Sequence, residues 1–273
     1  MDEFYAPLTG ASAAAPKKKD DGWRCVQPVP DDAPPPLEAH PRLGRPAGRW
    51  LYVDRDGRLL GLANRFDTAD GGKEFRPLSL WQRDRDHRRE WRWESMPPLR
   101  PLYGLDCLAE RPKAPVVVCE GEKATDAARH LLPGFVGMTS PNGSKSAAKA
   151  DWSPLAGRRV VIWPDADPAG TAYADAVASM ARDAGASSVA VLAPPEGVGE
   201  GWDAADAEAE GWTTTEAEAF VASARSAAVV DLETARRAKK ASEGAAKKTA
   251  AKKDGRTTTP VTAVAADRRS ATS

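Results

Sequence analysis

The sequence predicts an α/β protein: a parallel sheet flanked by helices, preceded by a small antiparallel β-rich subdomain, with disordered termini. Three observations lead there. From about residue 114, short wholly apolar runs alternate with segments of helical period. Between Trp50 and Glu94 the pattern has period two and is broken by turn residues. Both ends of the 273-residue chain are of low complexity, one rich in Pro and Lys, the other in Ala and Lys. The expected boundaries are 1–37 for the lead-in, 38–112 for the β-rich subdomain, 113–222 for the α/β domain and 223–273 for the basic tail.

The lead-in carries Lys17-Lys18-Lys19 and then Pro28, Pro30 and Pro34-Pro35-Pro36, which reads as a flexible or polyproline-like segment. Next come Trp50-Leu51-Tyr52-Val53 and Leu59-Leu60-Gly61-Leu62, separated by Arg55-Asp56-Gly57-Arg58. Asp-Gly between two β-prone runs signals a hairpin, because both residues tolerate the positive φ of its turn. Further strands are expected near Lys73–Arg76 and Glu90–Glu94, and a short helix after Gly104.

Pro115-Val116-Val117-Val118-Cys119 is apolar throughout, as a strand covered on both faces must be. A helix follows over Lys123–Leu132, then Phe135-Val136-Gly137-Met138, a loop at Ser140-Pro141-Asn142-Gly143, a short helix, and Arg159-Val160-Val161-Ile162-Trp163. A helix over 169–183 and the strand Ser188–Leu192 complete the series. Helices between strands imply parallel pairing, and ligands then gather at the strands' carboxyl ends.

Acids stand at those ends. Glu120-Gly121 follows the first of these strands, and Asp165-Ala166-Asp167-Pro168-Ala169-Gly170 follows the third. Converging carboxylates repel one another unless a cation lies among them, and an all-oxygen donor set suits Mg²⁺ (or Mn²⁺). Asp203 and Asp206 could add outer ligands. Gly121 and Gly170 are expected to permit sharp turns and close backbone approach. The competing reading makes Asp167, before Pro168, an ordinary helix cap.

Formal net charge is zero, with 39 Lys and Arg against 39 Asp and Glu. The sum conceals its distribution. Residues 200–218 hold seven acids and no Lys or Arg, whereas 231–273 hold eleven Lys and Arg against five Asp and Glu. Such a tail either binds polyanions or merely keeps the protein solvated. No apolar run of about 18 residues is present, so no membrane span is expected. The first residues lack the basic start and apolar core of a secretory signal. Three scattered cysteines exclude a disulfide scaffold and a Cys-x-x-Cys zinc site, so no zinc is expected and a reducing, cytoplasmic location is.

The pair of motifs Val116–Gly121 and Val160–Gly170 resembles the Toprim domain shared by bacterial-type primases, topoisomerases and some nucleases. The resemblance spans residues 114 to about 212. More loosely, residues 45–112 resemble the β-rich segment that precedes Toprim in phage- and plasmid-type primase–helicases. It implies that Glu120 acts as general acid/base or metal-associated carboxylate, that Asp165 and Asp167 hold Mg²⁺ (or Mn²⁺), and that Asp203 assists. At this last place the chain reads Asp203-Ala204-Ala205-Asp206, without the family's proline. Lys123, Asn142, Gly143 and Lys145 are the candidates for phosphate contact; otherwise Lys123 faces solvent, and Asn142 and Gly143 are turn residues.

The implied activity is primase-type nucleotidyl transfer in replication of a phage, plasmid or other mobile element. The implied partners are single-stranded DNA, nucleoside triphosphates and a replicative helicase acting in trans. A Toprim nuclease would use the same carboxylates. A nucleotide hydrolase with a degenerate phosphate loop leaves Glu120-Gly121 unexplained and misplaces Lys145. A non-catalytic DNA-binding accessory would use Trp81–Trp93, where five arginines interleave with three tryptophans. The alternative there is that the tryptophans are packed inside and the arginines paired to acids.

Overall fold

The computed structural model describes residues 22–227. The first part is an antiparallel sheet of five strands: β1 (Trp23–Cys25), β2 (Gly48–Val53), β3 (Leu59–Asp67), β4 (Lys73–Arg83) and β5 (Arg89–Arg92). β4 is the axis. Its first half pairs with β3, in turn paired with β2, and its second half pairs with β5 on one side and β1 on the other. The turn at Gly57 (φ 78°) closes the β2–β3 hairpin as the Asp-Gly signal predicts.

One sheet face carries Leu62, Leu78 and Leu80, which pack with Trp91. Here the structure corrects the lead-in. Residues 22–37 are not a detached segment: β1 pairs with β4, and Val26, Val29 and Ala33 cover the apolar face. The indole nitrogen of Trp91 donates to the Pro34 carbonyl at 2.7 Å. A proline-rich stretch suits this position, since it covers apolar surface without leaving its own N–H groups to be satisfied. The remaining expected lead-in, 1–21, and the basic tail from 228 lie outside the described residues, and the final helix runs to Ala227, past the boundary expected at 222.

The arginine–tryptophan segment resolves toward packing. Trp91 is buried. Arg83 pairs with Asp86, Arg88 and Arg92 with Glu90, and Arg89 with Asp32. The Arg92 guanidinium also stacks on Trp23, 3.8 Å from the ring centre.

After α1 (Leu105–Glu110) comes a four-stranded parallel sheet, β6 (Val116–Cys119), β7 (Val136–Met138), β8 (Arg159–Trp163) and β9 (Ser188–Val191), in the order β7-β6-β8-β9. Alternate residues explain the unbroken apolar runs. Val116, Val118, Val160 and Ile162 face a core with Tyr173 and Val177 of α3 (Pro168–Asp183). Val117, Cys119, Val161 and Trp163 face α2 (Glu122–Leu131), α4 (Ala204–Ala209) and α5 (Thr214–Ala227). Among the described residues no helix is long and apolar enough to cross a membrane.

α2 follows β6 onto one face, and α3 follows β8 onto the other. The adjacent strands β6 and β8 therefore flank the point where the chain's windings diverge. This opens a crevice at their carboxyl ends.

Candidate active site at the ends of β6 and β8

Glu120 leaves the end of β6 half-buried, and its Oε2 is buried with no hydrogen-bond partner. Burial raises its pKa, a hydrogen bond from the Ser144 side chain works the other way, and Asp167 and Asp203 add to the rise. Asp165, beyond β8, has its Oδ1 buried and likewise unpartnered. Its pKa is pushed up to about 7, first by burial and then by the charges of Glu120, Asp203, Asp167 and Asp206. Asp165 thus feels the charges of Glu120, Asp203, Asp167 and Asp206, and both it and Glu120 carry one orphaned oxygen.

Asp167 and Asp203 also cap helices. Asp167 Oδ1 accepts from the Gly170 amide at 2.6 Å at the start of α3, with Pro168 as first helical residue. Asp203 Oδ1 accepts from the Ala205 and Asp206 amides, and Asp206 reaches back to the Asp203 amide, a reciprocal capping box at α4. The two acidic loops are tied by their backbones: the Ala166 amide donates to the Trp202 carbonyl at 2.9 Å, and the Gly201 amide to the Ala166 carbonyl at 3.1 Å.

The two glycines differ. At Gly170 a Cβ would lie 2.3 Å from the Asp165 carbonyl oxygen, so only glycine lets α3 start this close to the loop. At Gly121 the expected close approach is absent: its φ is −134° and a Cβ would meet open space.

A cleft of about 380 Å³ opens in front of these groups. Glu120, Lys123, Asn142, Gly143, Asp165 and Asp203 line it; Asp167 and Lys145 do not. Lys123 is exposed near Asp203, whose pKa it lowers against the larger rise from burial. Asn142 and Gly143 are turn residues, as the alternative reading has them, and they also border the cleft. They sit at φ 69° and 68° in a tight turn. Lys145 sits exposed in the 3₁₀ turn Ser144–Lys149, and Ser144 is the residue of this loop that meets Glu120.

The opposite wall comes from the antiparallel sheet: Arg65 of β3 and Lys73, Phe75 and Arg76 of β4. Sequence reasoning did not assign these residues to the site. Arg65 is paired to Asp67 and Arg76 to Glu74, while Lys73 has no ion pair among the described residues. The two halves are joined by hydrogen bonds onto α2, from Tyr52 to Glu122 and from Trp50 and Tyr103 to Asp126.

Among the described residues no three His, Cys, Asp or Glu side chains stand close enough together to enclose a metal ion. Mg²⁺ does not require such a cage, since it keeps several waters and is held by one or two carboxylates plus substrate phosphates. The unpartnered Asp165 Oδ1, with the Asp203 carboxylate on the same cleft, fits that habit.

No family model and no curated protein sequence matches the chain. Solved structures similar to it are a DnaG primase catalytic domain bound to single-stranded DNA (18% identity, TM-score 0.40), the Escherichia coli primase catalytic core (17%, 0.42) and a DNA primase domain from Pseudomonas aeruginosa (16%, 0.43). The likeness covers 64%, 64% and 67% of this chain and 51%, 51% and 55% of theirs, so the chain spans about half the length of each.

Proposed function

We propose that the chain carries out metal-dependent nucleotidyl transfer of the primase type, joining ribonucleotides on a single-stranded DNA template. The observation that supports it most is the pair of buried, unpartnered oxygens, Glu120 Oε2 and Asp165 Oδ1, at the crevice between adjacent parallel strands. The motif resemblance of residues 114–212 to the Toprim domain points the same way. Its looser counterpart over 45–112 supports work in replication of a phage, plasmid or other mobile element, in the cytoplasm and with a helicase in trans.

In this reading Asp165 and Asp203 hold Mg²⁺ (or Mn²⁺), with Asp167 beside them. When bound, the ion would offset triphosphate charge and favour the attacking 3′-hydroxyl. Glu120, its carboxyl raised by burial, is suited to hold the proton that this hydroxyl releases at Oε2. Lys123 and Lys73, from the two sides of the cleft, would meet phosphate oxygens. Asp167 holds the start of α3 against the Asp165 loop through the Gly170 amide.

The test is synthesis of labelled oligoribonucleotides on single-stranded DNA with Mg²⁺ or Mn²⁺. Asp165→Asn and Glu120→Gln should each lower the rate by about 10²-fold or more while leaving the fold intact. Degradation of the DNA by the wild type under these conditions would replace the primase reading with a Toprim nuclease. Unchanged activity in both variants would remove the site altogether.

A further inference from the structure

One aromatic side chain, Phe75, stands in the lining of the cleft beside Arg65 and Lys73. Phe75, within β4, is 46% exposed, although the other phenylalanine of this sheet, Phe66, is 1% exposed. Its place in the strand explains why. Alternation puts Phe75 on the face shared with Lys73 and Pro77, away from Leu78 and Leu80 in the core. Across the sheet it is in register with Arg65, and Pro77 is in register with Ala63. Ala63 in turn pairs with Trp50, whose indole reaches Asp126 on α2.

Phe75 is therefore on the sheet face that turns toward the parallel domain, at the part that overhangs the cleft rather than the part sealed against α2. Its ring has no aromatic or cation partner among the described residues. The core does not account for an exposed ring here.

An exposed ring bordered by a guanidinium and an ammonium, in a cleft whose far wall holds acids, matches one ligand chemistry. A nucleobase offers a π-face to stack, and the phosphate attached to it offers an anion to the bordering cations. We infer that Phe75 is the stacking platform for an unpaired nucleobase, with Lys73 and Arg65 beside it receiving the adjoining phosphate. The inference rests on the nucleotidyl-transfer reading of the same cleft and names the part of the ligand that this wall takes. The base can belong to the template strand or to a bound nucleoside triphosphate, since both present the same face.

The experiment compares the full-length wild type, Phe75→Ala and Phe75→Trp for binding to a labelled oligothymidylate and to an abasic strand of equal length. A second arm compares ATP with inorganic tripolyphosphate. Phe75→Ala should bind the base-bearing ligand about 5- to 100-fold more weakly and the baseless ligand within about twofold of wild type. Phe75→Trp should restore binding. Loss in the oligonucleotide arm assigns the template base, and loss in the ATP arm assigns the incoming one. Loss in neither arm, or equal loss on abasic strand and tripolyphosphate, overturns the inference. A wild type that binds neither class of ligand overturns the functional reading as well. An intact Phe75→Ala beside an inactive Asp165→Asn overturns the stacking role alone.

Discussion

The hydroxyl of Tyr52 donates to Glu122 Oε1 at 2.7 Å across 70 residues of sequence, with both side chains buried. Glu122 opens α2 directly after Glu120 and Gly121, so this one bond ties the antiparallel sheet to the chain segment that carries a candidate catalytic carboxylate. Burial raises the Glu122 carboxyl, and the Tyr52 hydrogen bond is the largest influence lowering it. Tyr52→Phe leaves that buried carboxyl without its partner. It should cost about 1–3 kcal/mol in urea unfolding. It should also lower activity more than an equally destabilising change on the far side of the parallel sheet. Unchanged stability would mean that the two halves are held elsewhere.

The orphaned oxygens predict a response to divalent ions. At about 100 times its dissociation constant, Mg²⁺ or Mn²⁺ should stabilise the wild type by about 2.7 kcal/mol, a rise of roughly 5–10 °C in Tm. The double variant Glu120→Gln/Asp165→Asn should melt no lower than wild type without metal, because it removes two like charges from a partly dry site. It should also lose the metal-dependent rise, which calorimetry of both proteins would reveal.

Gly170→Ala and Gly121→Ala separate close approach from mere turn preference. The first forces a Cβ against the Asp165 carbonyl and should destabilise by about 3 kcal/mol. The second meets open space and should cost less than about 1 kcal/mol, the usual loss for alanine at a helix start. Equal losses in chemical denaturation would contradict the tight packing of α3 on the acidic loop.

Asp203 holds two roles that Asn and Ala divide. Asparagine caps a helix as well as aspartate does, so Asp203→Asn should unfold within about 0.5 kcal/mol of wild type. Asp203→Ala should lose about 1 kcal/mol. Both should bind Mn²⁺ about tenfold more weakly in a direct titration, since both remove the charge. Undiminished Mn²⁺ affinity in Asp203→Asn would leave this residue as a cap alone.

Cys25 reports on how firmly β1 is held against β4. Its thiol is pushed up to about 11, chiefly by burial, with a Ser79 hydrogen bond opposing. At pH 8 it should react with a disulfide reagent about 10²-fold more slowly than in the unfolded chain. The sign for stability follows: an unfolded thiol ionises from about 9 while the folded one stays neutral, so the fold loses stability as pH rises from 9 toward 11. Rapid labelling at pH 8 would show that β1 does not hold against β4.

Much of the fold is legible in particular residues. Val116–Cys119 must be covered on both faces because no polar residue interrupts it, and Asp56-Gly57 marks its hairpin because few other pairs accept that backbone. Glu120 and Asp165 are legible because parallel strands end on one side, where their acids must meet. The cover over Leu62 and Leu78 is not legible, because Val26, Val29 and Ala33 stand among prolines and follow neither a helical nor a strand period.

The sequence by itself determined the two kinds of sheet, the order of the strands from β2 onward and the acids at the strand ends, since each follows from local periodicity and backbone chemistry. Only the tertiary structure decided that Asp167 and Asp203 cap helices, that Lys145 stands away while Ser144 meets Glu120, and that Lys73 and Phe75 face the carboxylates across a cleft. The reason is separation. The cleft exists because Tyr52 and Trp50 are bonded to Glu122 and Asp126 some 70 residues later, and no local pattern encodes which distant surfaces will meet.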